Sequence, residues 1–290
     1  MTKSILGVIG GSGVYDMAMD GSHWESIASP WGETSDQFRI GTIHGIEVVF
    51  LPRHGRGHRI PPSAINYRAN IDAMKRVGVT DLVSISACGS FREHLPPGTF
   101  VIVDQFIDRT FAREKSFFGT GCVAHVSLAE PISPLLADRV EAAARKVGIS
   151  CYRGGTYLCM EGPQFSSIAE SQLYRQWGCD VIGMTNMPEA KLAREAELCY
   201  ATVAMVTDFD SWHPGHSTVD IQAILEVVRA NSGNASHLVT EIALNFPAEH
   251  EPCPIGSDRA LEHAIITAPE QRDSKLVAKL DAVAGRVLNR

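Results

Sequence analysis

The 290-residue sequence has no apolar run approaching the ~18 residues that a membrane span requires. It has no basic excess either: 26 Lys and Arg stand against 33 Asp and Glu, a formal net charge of −7. General affinity for a nucleic acid backbone is therefore excluded, and any bound anion must be held by a local cluster. The seven cysteines are odd in number, irregularly spaced and without a CxxC pair. That pattern argues against a disulfide frame or a zinc site and for reduced thiols in a cytoplasm. Several lie in apolar runs such as LCYATVAMV and SISACGS, where cysteine serves as a small hydrophobe. Neither the GxGxxG dinucleotide fingerprint nor a P-loop is present. No internal repeat or low-complexity linker interrupts the chain. Residues 4–9 (SILGVI) are apolar but run straight into a Gly-rich turn with no small-residue cleavage site, so they read as a strand and not as a signal peptide.

With 44% hydrophobic and 20% charged residues, the composition is that of a globular protein. Strand-like and helix-like stretches alternate almost to the end. Strands are expected at 4–9, 38–43, 47–51, 81–87, 100–103, 181–184 and 199–207, with 38–43 and 47–51 joined as a hairpin across His44-Gly45. Helices are expected at 66–77, 135–147, 169–177, 188–197 and 219–228, the first three stopped by glycine. Buried β runs separated by helices predict an α/β fold with a mixed, mostly parallel central sheet flanked by helices. A single domain is expected over residues 1–245. Residues 246–290 read as a surface excursion and a helix at 276–288, packed on the domain or on a neighbouring subunit.

In such sheets ligands bind beyond the carboxyl ends of strands, and the polar, Gly-rich segments fall there. Gly10-Gly11-Ser12-Gly13 can form an amide nest with the Ser12 hydroxyl as an added donor, or be a tight turn. Residues 52–59 (PRHGRGHR) hold three arginines and two histidines in an acidic protein, suited to phosphate or carboxylate, or to a solvated basic loop. Residues 84–90 (SISACGS) end a strand in small side chains and leave room at its mouth. Residues 207–210 (TDFD) carry two carboxylates two residues apart on an extended chain, hence on one side. Burial and mutual repulsion raise one of their pKa values and set a proton donor beside an acceptor, which suits a base that takes a proton on one ring nitrogen while its amino group donates to a carboxylate; a turn carboxylate with a surface partner is the alternative. Met184-Thr185 offers a thioether to pack on a sugar and a hydroxyl for an anion. Phe165 can stack on a planar base or staple a helix.

Taken together, IGGSGVYD, LPRHGRGHRIPPSAINYRANI, SACGSFREHLPPGTF, EGPQFSSIAES, DVIGMTNMPEAKLAREAELCYA and VTDFDSW resemble the trimeric purine nucleoside phosphorylase superfamily, and within it the 5′-methylthioadenosine phosphorylases. The resemblance runs from Gly7 to about Asn245. It implies phosphorolysis of a methylthioadenosine with inversion at the anomeric carbon, phosphate as co-substrate, no cofactor or metal, and a cytoplasmic homotrimer. By position it implies a phosphate site of Ser12, Arg53, His54, Ser86, Ala87 and Thr185. The nucleoside site comprises Phe165, Ser166, Met184, Asp208, Phe209 and Asp210, with Asp208, Asp210 and His54 as the catalytic set. Val219, Ile221 and His125 of a neighbouring subunit are nominated for the 5′ group. The sequence departs from the family pattern at Ser12, where many relatives have threonine, and at Gly183, where animal members carry asparagine. A methylthioinosine phosphorylase or broader purine nucleoside phosphorylase is the nearest alternative, then a nucleosidase. A non-catalytic nucleotide-binding protein or an NAD(P)-dependent oxidoreductase stands as the reading from a different class.

Overall fold

The computed structural model describes residues 2–11, 17–213 and 221–289, with 221–224 known by backbone alone. The expected nests and loops at Ser12 and Val219 thus lie outside the described residues.

Among the described residues, eleven strands make one sheet. They are β1 (Ile5–Gly10), β2 (Asp20–Glu25), β3 (Phe38–Ile43), β4 (Ile46–Pro52), β5 (Asp81–Ser90), β6 (Phe100–Ile102), β7 (Gln105–Arg109), β8 (Cys151–Arg153), β9 (Thr156–Met160), β10 (Val181–Gly183) and β11 (Cys199–Phe209). The order β2-β3-β4-β1-β5-β10-β9-β7 forms the main path, and β11 lies against β5 and β6. The central pairs, β1 with β4 and β5, and β11 with β5, are parallel. Both faces of these strands are buried: Leu6, Val8, Val49, Leu51, Leu82, Val83, Val203 and Ala204 are fully enclosed. Near-continuous apolar runs are what a two-sided sheet demands.

The helices are α1 (Tyr67–Arg76), α2 (Pro134–Lys146), α3 (Ile168–Gln176), α4 (Asn186–Glu195), α5 (Ile221–Leu244), α6 (Ser274–Lys279) and α7 (Asp281–Leu288). Their ends follow local chemistry. Asn66 accepts from the Ala69 amide to start α1, and a Ser167–Glu170 capping box starts α3. Two expectations need correction. The helix expected at 219–228 continues to Leu244, because Ala235, Leu238, Val239, Ile242 and Ala243 form a buried stripe. Ser232, Ser236 and Thr240 in that stretch bond back to carbonyls four residues earlier, so these small polar residues do not break the helix. The helix expected at 276–288 is two helices meeting at Leu280. Leu280, Val283 and Ala284 are buried in the main core, and α7 packs on α1. Four strands escaped notice, β2, β7, β8 and β9, all short and with weak alternation.

One feature of topology opens the sheet. β5 pairs with β1 through Ile85 and with β10 from Gly89, in opposite directions. Between these contacts, Ser86, Ala87 and Cys88 pair only with β11 among the described residues. A strand that changes partners leaves a crevice at the change.

Candidate active site

A cavity of about 590 Å³ fills that crevice, within the range that encloses a nucleoside-sized ligand. Its wall is built from five strand ends: Gly11 after β1, Arg53 and His54 after β4, Ser86–Gly89 on β5, Gly183–Thr185 at the end of β10, and Thr207, Asp208 and Asp210 from β11. The segments singled out by sequence therefore converge in space.

One end of the cavity is rigid and polar. Arg53 is 1% exposed, and its guanidinium faces inward. It forms a bidentate pair with Glu189 on α4 (2.9 and 3.3 Å) and also donates to Ser84 Oγ and to the carbonyls of Ile85 and Ile9. Burial works against its charge, but Glu189 more than offsets this and holds the pKa above the ordinary value. The expected fork-to-anion geometry is thus already taken by a carboxylate, leaving one Nη1–H for anything else. Arg56 is engaged by Asp36 and stacks over Trp24. The basic loop consequently presents far less free charge than its composition suggests.

Behind Arg53 lies a closed hydrogen-bond network. Tyr200 donates to Glu189, while Asn186 donates to Tyr200, Ser84 and Thr202 and accepts from Ser86 Oγ at 3.2 Å. These buried groups fix one another at low dielectric. His54 is set by its Nδ1, 2.8 Å from the Ile60 carbonyl, an arrangement that puts the proton on Nδ1 and the lone pair on Nε2. Burial pushes its pKa down to about 4, aided by the nearby Arg53, so the ring is neutral at pH 7. His58 stacks on it at 4.2 Å between ring centroids. Thr185 Oγ1 lines the cavity and is buried without a partner. An unmet buried hydroxyl facing a cavity is a group awaiting a ligand oxygen.

The other end carries the carboxylates. The pairing of β11 with β5 slips at Thr207, so that Val206 faces Cys88 and Asp208 faces Gly89. A Cβ at residue 89 would be tight only against Ile182 Cγ2 at 3.2 Å, and would reach ordinary contact with Asp208 Oδ2 and Asp210 Cβ at 3.4 Å, so this glycine lies directly against both carboxylate residues. Asp208 Oδ1 accepts from Thr207 Oγ1 at 2.7 Å. Asp210 is deeper, and burial raises its pKa despite the Ser171 and Ser166 hydroxyls and the Ser211 amide. Its Oδ2 has no partner. Phe165, 51% exposed, and Met184 cover this end.

Of the remaining nominated residues, Ser166, Phe209 and His125 do not line this wall themselves. Ser166 is buried outside the cavity wall, its hydroxyl near Met160 Sδ. Phe209 stacks on His213 and stands off the wall. His125 is exposed in a loop whose amide bonds to Ala264. Ile221 begins α5, and among the described side chains of that helix Leu225 and Val228 line the cavity.

Sequence reasoning missed Arg113. Its buried guanidinium donates to the carbonyls of Met184, Met187 and Glu161 at 2.6–2.7 Å and to the Tyr67 hydroxyl. It ties the Met184 wall to the segment leading to Phe165. Nothing in RTFAREKS distinguishes it from a loop arginine; only its carbonyl partners do. Asn186 and Glu189 were missed for a similar reason, since NMPEAKLARE reads as an ordinary helix start.

The comparisons with known proteins agree with this geometry. The S-methyl-5′-thioadenosine phosphorylase of Bradyrhizobium diazoefficiens is 66% identical over 289 residues, covering 99% of each chain. That of Cereibacter sphaeroides is 61% identical over 287 residues, again 99% of each. A methylthioadenosine phosphorylase structure sourced from an antarctic soil metagenomic library superposes with a TM-score of 0.91 at 43% identity, over 98% of this chain and 99% of that one. The Schistosoma mansoni enzyme in complex with tubercidin gives 0.76 at 36% identity, over 83% and 91%. The profile of the phosphorylase superfamily matches residues 5–243, and the chain belongs to that superfamily.

Proposed function

We propose that the chain is a pentosyltransferase that cleaves S-methyl-5′-thioadenosine with inorganic phosphate, giving adenine and 5-methylthioribose 1-phosphate, as a cytoplasmic homotrimer without a cofactor. The observation that carries the chemistry is the convergence in one cavity of an unmet hydroxyl at Thr185 and a carboxyl pair at Asp208 and Asp210.

The polar end receives phosphate. Thr185 Oγ1, Ser86 Oγ, the Ala87 amide and the remaining Arg53 Nη1–H are its donors, with Gly11 beside them on the wall. Neutral His54 offers Nε2 to a phosphate hydroxyl, or takes its proton. Held there, a phosphate oxygen forms a bond to the anomeric carbon as the bond from that carbon to N9 breaks. The electron pair passes to the purine, and phosphate charge stabilises the cationic sugar between them. Fixing both reactants contributes up to roughly 7–11 kcal/mol of entropic advantage. The departing base requires a proton at N7. The two carboxyls act as a coupled pair, and the proton that Asp210's burial helps retain is delivered through the more open Asp208. A 6-amino group donates to such a pair, whereas a 6-oxo group meets it acceptor to acceptor. Phe165 stacks on the base, and Leu225 and Val228 supply an apolar surface for the methylthio group.

The trimer reading is supported by large apolar side chains left bare, among them Phe111 at 82% and Ile266 at 63% exposed. An active species sedimenting at about the chain mass refutes it. Seven unpaired cysteines accord with a reducing compartment. The central test follows base release from methylthioadenosine and methylthioinosine with and without phosphate. Release only with phosphate, and kcat/KM favouring methylthioadenosine, is expected. Phosphate-independent release makes the protein a nucleosidase, and a clear preference for methylthioinosine overturns the role given to the carboxyls.

A further inference from the structure

Gly183 lines the cavity, yet it has no room for a side chain. A Cβ there would fall 1.8 Å from the Tyr157 hydroxyl and 2.7 Å from its Cζ. The strand register explains the conflict. Tyr157 sits opposite Val181 on paired strands β9 and β10, and Gly183 opposite Cys159, so the tyrosine and residue 183 are diagonal neighbours on one face, within reach of an aromatic ring. The phenol leans across the vacant position and ends beneath the Ser86–Ala87 rim; the same Cβ would lie 3.4 Å from the Ala87 carbonyl.

Tyr157 is fully buried, and no acceptor meets its hydroxyl in hydrogen-bonding geometry. Ser86 stands beside it and acts on its ionisation. Burial holds the phenol far above its usual pKa, so it is always a donor. Ser86 meanwhile directs its own proton to Asn186 Oδ1 over a long 3.2 Å. Tyr157 is enclosed and cannot reach the cavity itself. Whatever it does for a ligand passes through a neighbour.

We propose that Tyr157 is a positioning residue of the phosphate site, filling the space that keeps residue 183 a glycine and donating to Ser86 Oγ when an oxyanion binds. Ser86 then turns its proton from Asn186 to the oxyanion, and a hydroxyl that accepts one hydrogen bond donates a stronger one. The pair Tyr157 and Gly183 thus reads as one unit. The inference rests on the phosphate reading above.

Tyr157→Phe tests it. The phosphate KM should rise about three- to tenfold, the range of one net hydrogen bond, while the nucleoside KM holds within twofold. The melting temperature should be unchanged or higher, since an unmet buried hydroxyl has been removed. A phosphate KM within twofold of the parent overturns the proposal. So does a joint rise of both KM values with lower thermal stability, which is the signature of a packing role alone. The steric half is tested separately: Gly183→Ala should destabilise the parent, and Tyr157→Leu combined with Gly183→Ala should recover most of the loss. Equal stability of Gly183→Ala and parent overturns the pairing. Base release from the parent without phosphate would remove the underlying reading, whereas a phosphate-dependent parent with an indifferent Tyr157→Phe removes only Tyr157.

Discussion

The two ends of the cavity are built on opposite principles. At the polar end, Arg53, Ser84, Asn186, Glu189 and Tyr200 are buried and engaged with one another, and they come from three elements and the turn after β4. At the apolar end, Phe165 is 51% and Leu225 49% exposed, each on a segment with one side open. Phosphate is small and invariant, so its site can be fixed in advance, which is where electrostatic preorganisation is most effective. On the proposed function the 5′ group is held by apolar contact, which is non-directional and tolerates variation. On that reading, reaction type is set by the first end and substrate choice by the second.

The sharpest way to break this division is Glu189→Gln. It leaves the shape but removes the counter-charge of a fully buried guanidinium, and uncompensated buried charges cost about 3–5 kcal/mol. Denaturant unfolding should show that loss, and phosphate affinity should fall with it. A variant as stable as the parent would mean that Arg53 finds another partner and the network is not a unit. Next in size is Asp208→Asn. A site that binds a substrate hydrogen can reject its analogue by as much as ~10⁴-fold; an amide both donates and accepts, so the ratio of kcat/KM for methylthioadenosine over methylthioinosine should collapse. An unaltered ratio would move base recognition to Asp210. The smallest effect is expected at the open end. Leu225→Ala should reduce the preference for methylthioadenosine over adenosine by roughly 1 kcal/mol, about fivefold, the low end of the range for a lost apolar contact. Unfolding midpoints should barely move, because the side chain is half in solvent.

The same division governs what was legible in the sequence. Strand ends announced themselves through glycines and small residues, and all five that were singled out meet in the cavity. Arg53 was found as a charged residue, but its Glu189 partner lies 136 positions away and looks like any acidic residue in a helix's first turn. Sequence pattern identifies a buried cation only after its counter-ion is known. Arg113 was hidden because most of its partners are backbone carbonyls, which every residue has, and its ion pair with Glu161 lies 48 positions away. At the apolar end, α5 was recognised but ended too early, since Asn231-Ser232-Gly233 resembles a break until the stripe from Ala235 to Ala243 is seen buried.

The slip in β11 at Thr207 makes the site a question of parity. Side chains on a strand alternate, so a shift of one residue exchanges inside for outside. The extra residue falls between Val206, opposite Cys88, and Asp208, opposite Gly89, the position without a side chain. Deleting Thr207 would let the strand pair evenly with β5 and would cost the sheet little. Asp208 would still face Gly89, and what the deletion removes is the Thr207 hydroxyl that donates to Asp208 Oδ1. In an insertion–deletion scan, deletion of Thr207 should therefore keep both the fold and the facing of Asp208, whereas a one-residue deletion within Cys199–Val206, which slips the strand against β5, should lose activity until a second change restores the count.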